Sequence, residues 1–303
     1  MKIKYFLLLS SLPIIFYFYT QIDIKIEPKT KTPKPYIPKI ETSSYPKEQY
    51  SPGGLARLVF KHKPDVYLNE KKLKIFTQKI KNDWLVLIPF SLYKEANELR
   101  LTSSTSSMYQ VHLFNLVEGK YLSQYINIKN KEFVKASEKT LIRIKKDRKL
   151  KQKTYSRHSK IYIKNLEMIK PLSSELRNDF GRRRFFNGVA RSPHAGIDVS
   201  GKKGDKIKAP LDGEVIILGN LFYNGNMMVL DHGQGLISAY SHLSKFLKKD
   251  GDWVRQGEYI AEVGSTGRTT GPHLHWSVYL GGMPVNPELF LNFGKTPSFE
   301  VGQ

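Results

Sequence analysis

His194-Ala195-Gly196-Ile197-Asp198 and Pro272-His273-Leu274-His275-Trp276 are the two stretches on which both the fold and the chemistry of this chain turn. A separation of four places His194 and Asp198 on one side of either a helix or a strand. Their neighbours decide the matter: Pro193, Gly196 and the β-branched Ile197 and Val199 favour extended backbone. His273 and His275 are two apart, so a helix would turn them away from each other, whereas a strand aims both at one point. The following run Trp276-Ser277-Val278-Tyr279 also reads as strand. Two such strands side by side gather His, Asp and His around one ion. Three protein donors with one position left for water are the pattern of catalytic zinc, since structural zinc sites are closed by four.

Around and between these stretches runs a series of further motifs. They include Phe180-Gly181-Arg182, Ala209 to Val215 (APLDGEV), Val229 to Gly233 (VLDHG), Tyr240-Ser241-His242-Leu243-Ser244, Gly264 to Gly271 (GSTGRTTG) and Pro284-Val285-Asn286-Pro287. In this order, from Asn178 to Leu291, the chain resembles the lysostaphin and LytM-like zinc metallopeptidases. The resemblance implies a C-terminal LytM-like β-sheet domain of barrel-sandwich type. It also implies that His194, Asp198 and His275 hold zinc and that His242 and His273 are the two catalytic histidines. The substrate it implies is the peptide cross-link of bacterial peptidoglycan, either the D-alanyl-diaminopimelate bond or an oligoglycine bridge. The other reading is a non-catalytic LytM-like scaffold that activates a cell-wall amidase; such proteins typically lack metal ligands, and this sequence keeps all three. Asn187, just before Gly188, is either a residue blocking the metal, as in some latent relatives, or a turn residue.

Three look-alikes in the same region carry other readings. Gly264 to Gly271 lacks the Gly-Lys-Ser/Thr ending of a phosphate loop, so it reads as the tight turn that delivers the second His strand. Asp231-His232-Gly233 follows a strand-like run and precedes Gly235, which makes it a hairpin and not a ligand pair. Gly251 to Val263 has the pattern of biotin and lipoyl carriers without their modifiable lysine, which points to shared architecture alone.

The N-terminal half reads as delivery and support. Met1 to Lys4 is basic and Tyr5 to Tyr19 mostly apolar, which makes residues 1–20 an export signal or, because large aromatics stand where a cleavage site needs small residues, an uncleaved anchor in the inner membrane. Residues 21–50 contain five Pro and six Lys and read as a tether. Seven short alternating runs follow, at Ala56–Phe60, Val66–Leu68, Leu73–Phe76, Trp84–Ile88, Leu99–Leu101, Tyr109–Phe114 and Tyr125–Ile128. Together they predict a small β-sandwich over residues 51–131. Pro52 to Ala56 and Tyr121 to Gln124 resemble the immunoglobulin-like accessory domain of some Gram-negative relatives. A charged helix, from about Ser137 to Lys153, links this domain through residues 132–172 to a metallopeptidase domain at 173–303. The fold class is thus mostly β.

The net charge of +22 is unevenly shared: residues 1–174 carry +20 and residues 175–303 carry +2. So basic a half would ordinarily suggest nucleic acid. Export excludes that partner and leaves anionic envelope polymers or a lipid surface, in the periplasm or cell envelope, as the counterparts. The absence of cysteine rules out thiolate ligation and a cysteine nucleophile, and no Gly-x-Ser-x-Gly string supports a serine hydrolase.

Overall fold

The computed structural model describes residues 45–93, 98–106 and 108–292. The N-terminal signal or anchor and most of the tether lie outside these residues. No helix among the described residues is long and apolar enough to cross a membrane.

Seven strands come first: β1 (Leu55–Phe60), β2 (Asp65–Leu68), β3 (Lys71–Lys72), β4 (Thr77–Ile80), β5 (Asp83–Pro89), β6 (Glu98–Ser104) and β7 (Tyr109–Asn115). They form a three-stranded sheet, β1-β5-β4, and a four-stranded sheet, β3-β2-β6-β7. Alternate residues of both sheets meet in one core, with Ala56, Val86 and Ile88 facing Val66, Leu101 and Phe114. The opposite face of β1 and β5 is apolar as well. Leu55, Leu85 and Leu87 belong to the same buried cluster as Trp276 and Val278 of the C-terminal region. β5 is therefore buried on both sides, which is why it reads as the unbroken run Leu85-Val86-Leu87-Ile88 instead of alternating.

Two of the expected runs are used differently. Leu73–Phe76 is a connecting segment between β3 and β4, and its Ile75 and Phe76 are buried plugs. The last run appears as β8 (Ser123–Ile126), which leaves the sandwich altogether. It pairs in parallel with β9 (Arg183–Phe186), and β9 pairs with β10 (Val189–Arg191). Tyr125 stacks on Phe185 at 4.8 Å, and that ring contact is the side-chain anchor of the pairing.

A 3-10 turn at Lys131–Phe133 precedes α1 (Glu138–Tyr155). Ser137 caps the helix by accepting from the Thr140 amide, which removes one of the unpaired donors at its start. Most of the helix is solvated, but one stripe is fixed to the segment 220–224. Arg143 donates to the Asn220 carboxamide at 2.8 Å, Asp147 accepts from the Phe222 amide at 2.7 Å and Lys151 donates to Asn224 at 3.0 Å. These residues recur every four positions and so share a face.

The remaining strands are β11 (Ile197–Ser200), β12 (Lys206–Lys208), β13 (Gly213–Leu221), β14 (Gly225–Gly233), β15 (Leu236–Leu243), β16 (Lys245–Phe246), β17 (Trp253–Val254), β18 (Tyr259–Glu262), β19 (His273–Leu280) and β20 (Met283–Val285). The large sheet runs β11-β19-β15-β14-β13-β17, with β20 also on β19, and β12-β18-β16 forms a smaller sheet. Trp276, Tyr240, Ile197 and Ile207 are fully buried between them. Burying side chains of this size contributes roughly 1.5–3 kcal/mol each, enough to hold the central strands β15 and β19 rigid under the site they carry.

Candidate metal centre

The antiparallel register of β11 and β19 sets Asp198 directly opposite His275, and β15 adds Ser241 on the other side of His275. His194 stands four residues before Asp198 in the extended segment entering β11. Gly196 makes this entry possible. A Cβ there would run into the Trp276 carbonyl, the Ser277 hydroxyl and the His275 ring, so only glycine lets the chain lie this close to β19.

Three donor atoms converge. His194 Nε2 is 2.8 Å from His275 Nδ1, His275 Nδ1 is 2.9 Å from Asp198 Oδ1, and His194 Nε2 is 3.2 Å from Asp198 Oδ1. Their outer partners fix what these atoms are. His194 donates from Nδ1 to the Asp179 carbonyl at 2.9 Å, which leaves Nε2 a bare lone pair. Ser277 Oγ sits 3.0 Å from His275 Nε2 and can accept its proton, in the tautomer that leaves the Nδ1 lone pair facing inward. Lone pairs and a carboxylate oxygen pointed at one another repel unless a cation stands between them. Tetrahedral zinc, with bonds of about 2.0–2.1 Å, holds its ligand atoms about 3.4 Å apart, close to the spacing here. His194, Asp198 and His275 thus fit a metal ion.

Burial lowers the His194 imidazole, but Asp179 and Asp198 beside it raise it on balance, so a metal at this point competes with a proton for Nε2. Burial by itself would raise the Asp198 carboxyl, but the imidazoles of His194 and His275 beside it hold it well below the usual carboxylate range whenever they carry the proton that faces it. Burial pushes His275 down to about 4, so it is neutral and ready to ligate near pH 7. Asp179, almost wholly buried, supports the group from behind: its Oδ1 accepts from the Asp198 amide at 3.1 Å.

His242 and His273 stand beside this cluster with ring centroids 4.9 Å apart, and His242 lies 6.1 Å from His275. Both are held by the loop Gly264 to Gly271. His242 donates from Nδ1 to the Thr266 carbonyl at 2.7 Å, and His273 Nδ1 contacts the Gly271 carbonyl at 2.9 Å and Thr269 Oγ1 at 3.2 Å. Each ring therefore presents Nε2, and that of His273 lies 3.7 Å from Asp198 Oδ1. Burial first, then the neighbouring imidazoles, lowers His242 to about 3. His242 also has φ of +66°, an unusual backbone for a residue with a Cβ and one that concentrates at functional sites. The whole loop thus does more than turn the chain, since its carbonyls orient both histidines.

With this centre and its two flanking histidines in place, the comparison with known families is decisive: the description Peptidase family M23 matches residues 192–287. That segment belongs to peptidase family M23. Family and donor set together make zinc its metal. The M23 domain is 44% identical over 94 residues to the DD-carboxypeptidase/endopeptidase Mpg of Neisseria meningitidis, covering 31% of this chain and 22% of that protein. It is 40% identical over 119 residues to the peptidoglycan DD-endopeptidase ShyA of Vibrio cholerae, covering 38% and 28%. This chain thus spans only about a quarter of the length of these relatives. A solved chain from Pseudomonas aeruginosa assigned to peptidase M23 matches with a TM-score of 0.66 and 28% identity, covering 81% of this chain and 96% of its own.

Asn187 is a turn residue whose side chain is engaged within the fold. It occupies the tight turn between β9 and β10 with φ of +49°, and its carboxamide pairs with both backbone groups of Ile128, at 2.7 and 3.1 Å. The side chain that does reach the M23 centre is Arg184, whose guanidinium is 3.4 Å from Asp198 Oδ2. Neither Arg184 nor Asp179 stands out in the sequence by spacing from the histidines. The signal for Asp179 is only its position just ahead of Phe180-Gly181-Arg182. His232 is buried in β14 between the Asp212 carbonyl and Ser238 Oγ, each at 2.7 Å, so it belongs to the hairpin and not to the centre.

Proposed function

We propose that this chain is a zinc metalloendopeptidase that hydrolyses the peptide cross-links of bacterial peptidoglycan. The observation carrying this reading is the convergence of His194, Asp198 and His275 on one point, flanked by two more imidazoles with free Nε2 atoms, inside an M23 domain. When bound, zinc supplies Lewis acidity that polarises the scissile carbonyl and makes water acidic enough to attack near neutral pH. Of His242 and His273, one takes on Nε2 the proton released as water adds to the carbonyl carbon, and the other, when protonated at Nε2, donates to the oxygen that gains negative charge. The proton then passes to the leaving amine as the C–N bond breaks. The carbonyls of Thr266 and Gly271 keep both Nδ1 protons engaged, so each Nε2 stays available for this exchange.

The same reading takes export to the periplasm or cell envelope as the setting, with residues 5–19 as signal or inner-membrane anchor. It takes residues 51–131 as an immunoglobulin-like accessory domain and residues 132–172 as a basic helical linker to the catalytic domain at 173–303. The test separates chemistry from metal binding. His242→Ala and His273→Ala are expected to retain one zinc per chain by elemental analysis and to lose about a hundredfold or more in turnover. His194→Ala, Asp198→Ala and His275→Ala are expected to lose or weaken the metal itself. Full zinc occupancy in His275→Ala, or wild-type rates in His242→Ala, would overturn these assignments.

A further inference from the structure

The β9-β10 hairpin turns one face toward the metal centre, and that face is cationic. Arg184 on β9 lies directly opposite Arg191 on β10, and Phe186, two residues on, shares their face. Arg268, from the loop that holds His242 and His273, stacks its guanidinium on Phe186 at 4.4 Å and on Tyr223 at 4.2 Å. Three guanidiniums from two sides of the centre are therefore brought together over one apolar floor. Burial first, and then the positive charges of Arg184 and Arg191, bring the Arg268 guanidinium down to about 10.

Among the described residues, Asp198 is the one carboxylate in ion-pair contact with these three guanidiniums, and Asp179 acts on Arg184 from further away. Arg184 reaches Asp198, but that oxygen belongs to a metal-binding carboxylate whose charge a divalent cation takes up. Nε of Arg184 and Nε of Arg191 are buried donors with no hydrogen-bond partner among the described residues. What Arg191 and Arg268 do hold is instructive. They donate to the consecutive backbone carbonyls of Val134 and Phe133, peptide oxygens at the end of the 3-10 turn that precedes α1. Phe133 also packs on Phe222 at 5.0 Å, so this stretch lies against the same wall as Tyr223.

We propose that Arg184, Arg191 and Arg268 form a subsite for a carboxylate-bearing segment of the substrate peptide, which the carbonyls of residues 133 and 134 fill in the resting chain. The proposal rests on the endopeptidase reading and narrows it. Stem peptides carry free carboxylates on their side chains and termini, whereas oligoglycine bridges carry none within the bridge. Guanidinium forks match a carboxylate in shape and charge, and a desolvated site strengthens that match. The cationic face therefore selects anionic stem-peptide cross-links over neutral bridges.

The experiment compares two probes on the full chain with zinc bound: a cross-linked muropeptide dimer with free diaminopimelate carboxylates, and the same dimer with those carboxylates amidated. Wild-type protein is expected to favour the free carboxylate by about tenfold or more in kcat/KM, mostly through KM, as for loss of a charged hydrogen bond. Arg191→Gln and Arg268→Gln should each bring that ratio toward one. Zinc content and the unfolding midpoint verify that each variant remains assembled, and Arg191→Gln stands in if Arg268→Gln does not fold. Calorimetric binding of the corresponding monomer peptides, free and amidated, reads the subsite without turnover. Preference in binding without cleavage would uphold the subsite and defeat the endopeptidase reading. Equal treatment of both probes by the wild type, or equal losses on both in the arginine variants, would overturn the subsite.

Discussion

Replacing Asp179 by Ala tests whether the metal centre depends on a residue that never touches the ion. Asp179 is almost fully buried, its Oδ1 accepts from the Asp198 amide at 3.1 Å, and its carboxylate lies 3.4 Å from His194 Nδ1. Truncation leaves the Asp198 amide as a buried donor without a partner, a cost of about 1–3 kcal/mol to the fold. It also frees the two ligands on either side of Gly196 to shift, and outer partners of metal ligands are typically worth ten- to a hundredfold in metal affinity, about 1.4–2.7 kcal/mol. The assay is zinc competition against a fluorescent chelator at pH 7, with thermal unfolding of the metal-free protein in parallel. Asp179→Ala should bind zinc about ten- to a hundredfold more weakly, and Asp179→Asn, which keeps an oxygen facing the Asp198 amide, should lie between it and the wild type. A zinc affinity for Asp179→Ala within about twofold of wild type, alongside the expected loss of stability, would refute this reasoning and reduce Asp179 to a packing residue.

Two other outcomes follow from the same geometry. His232 is completely buried and its pKa is pushed by desolvation down to about 4, so between that value and about 6.5 the unfolded chain binds a proton that the native chain does not. Stability is then fully present above about pH 6.5 and falls as the pH drops toward 4, by on the order of 3 kcal/mol from this group; denaturant titrations at pH 4.5 and 7 compare wild type with His232→Gln, and an equal pH dependence in both would contradict it. Gly196→Ala should force β11 and β19 apart beside the Asp198 and His275 pair, at a cost of roughly 1–3 kcal/mol. Its zinc-free unfolding midpoint should fall by a few degrees and its zinc affinity with it, and an unchanged midpoint would mean that the sheet accommodates the methyl group.

The parts of the centre legible in sequence are those fixed by strand geometry. The two-residue period of β19 announces that His273 and His275 share a face, and the β-branched Ile197 and Val199 on either side of Asp198 mark β11, so the meeting of the two strands could be anticipated. What escapes the sequence is whatever depends on register between distant segments or on backbone atoms. Asp179 and Arg184 reach Asp198 through tertiary placement, and the Thr266 and Gly271 carbonyls that orient His242 and His273 belong to groups every residue carries. The N-terminal strands show the same division. The apolar alternation of Tyr125–Ile128 is equally compatible with either sheet, and only the Tyr125–Phe185 contact decides for β9. The run Leu73–Phe76 has strand composition, yet its bulk fills gaps in the core without joining a ladder. The charged run from about Ser137 to Lys153 reads as a helix from sequence, while its periodic anchors, Arg143, Asp147 and Lys151, become visible only against the segment 220–224.

The central claim is that this chain cuts a peptide bond of the cross-link, and mass spectrometry of muropeptide products tests it most directly. Purified protein loaded with zinc, with no partner present, should convert cross-linked dimers into monomers whose stem peptides remain attached to their sugars. A scaffold that activates an amidase would leave dimers intact and release whole stem peptides from glycan only once an amidase is added, and that result, with zinc bound, would contradict the account.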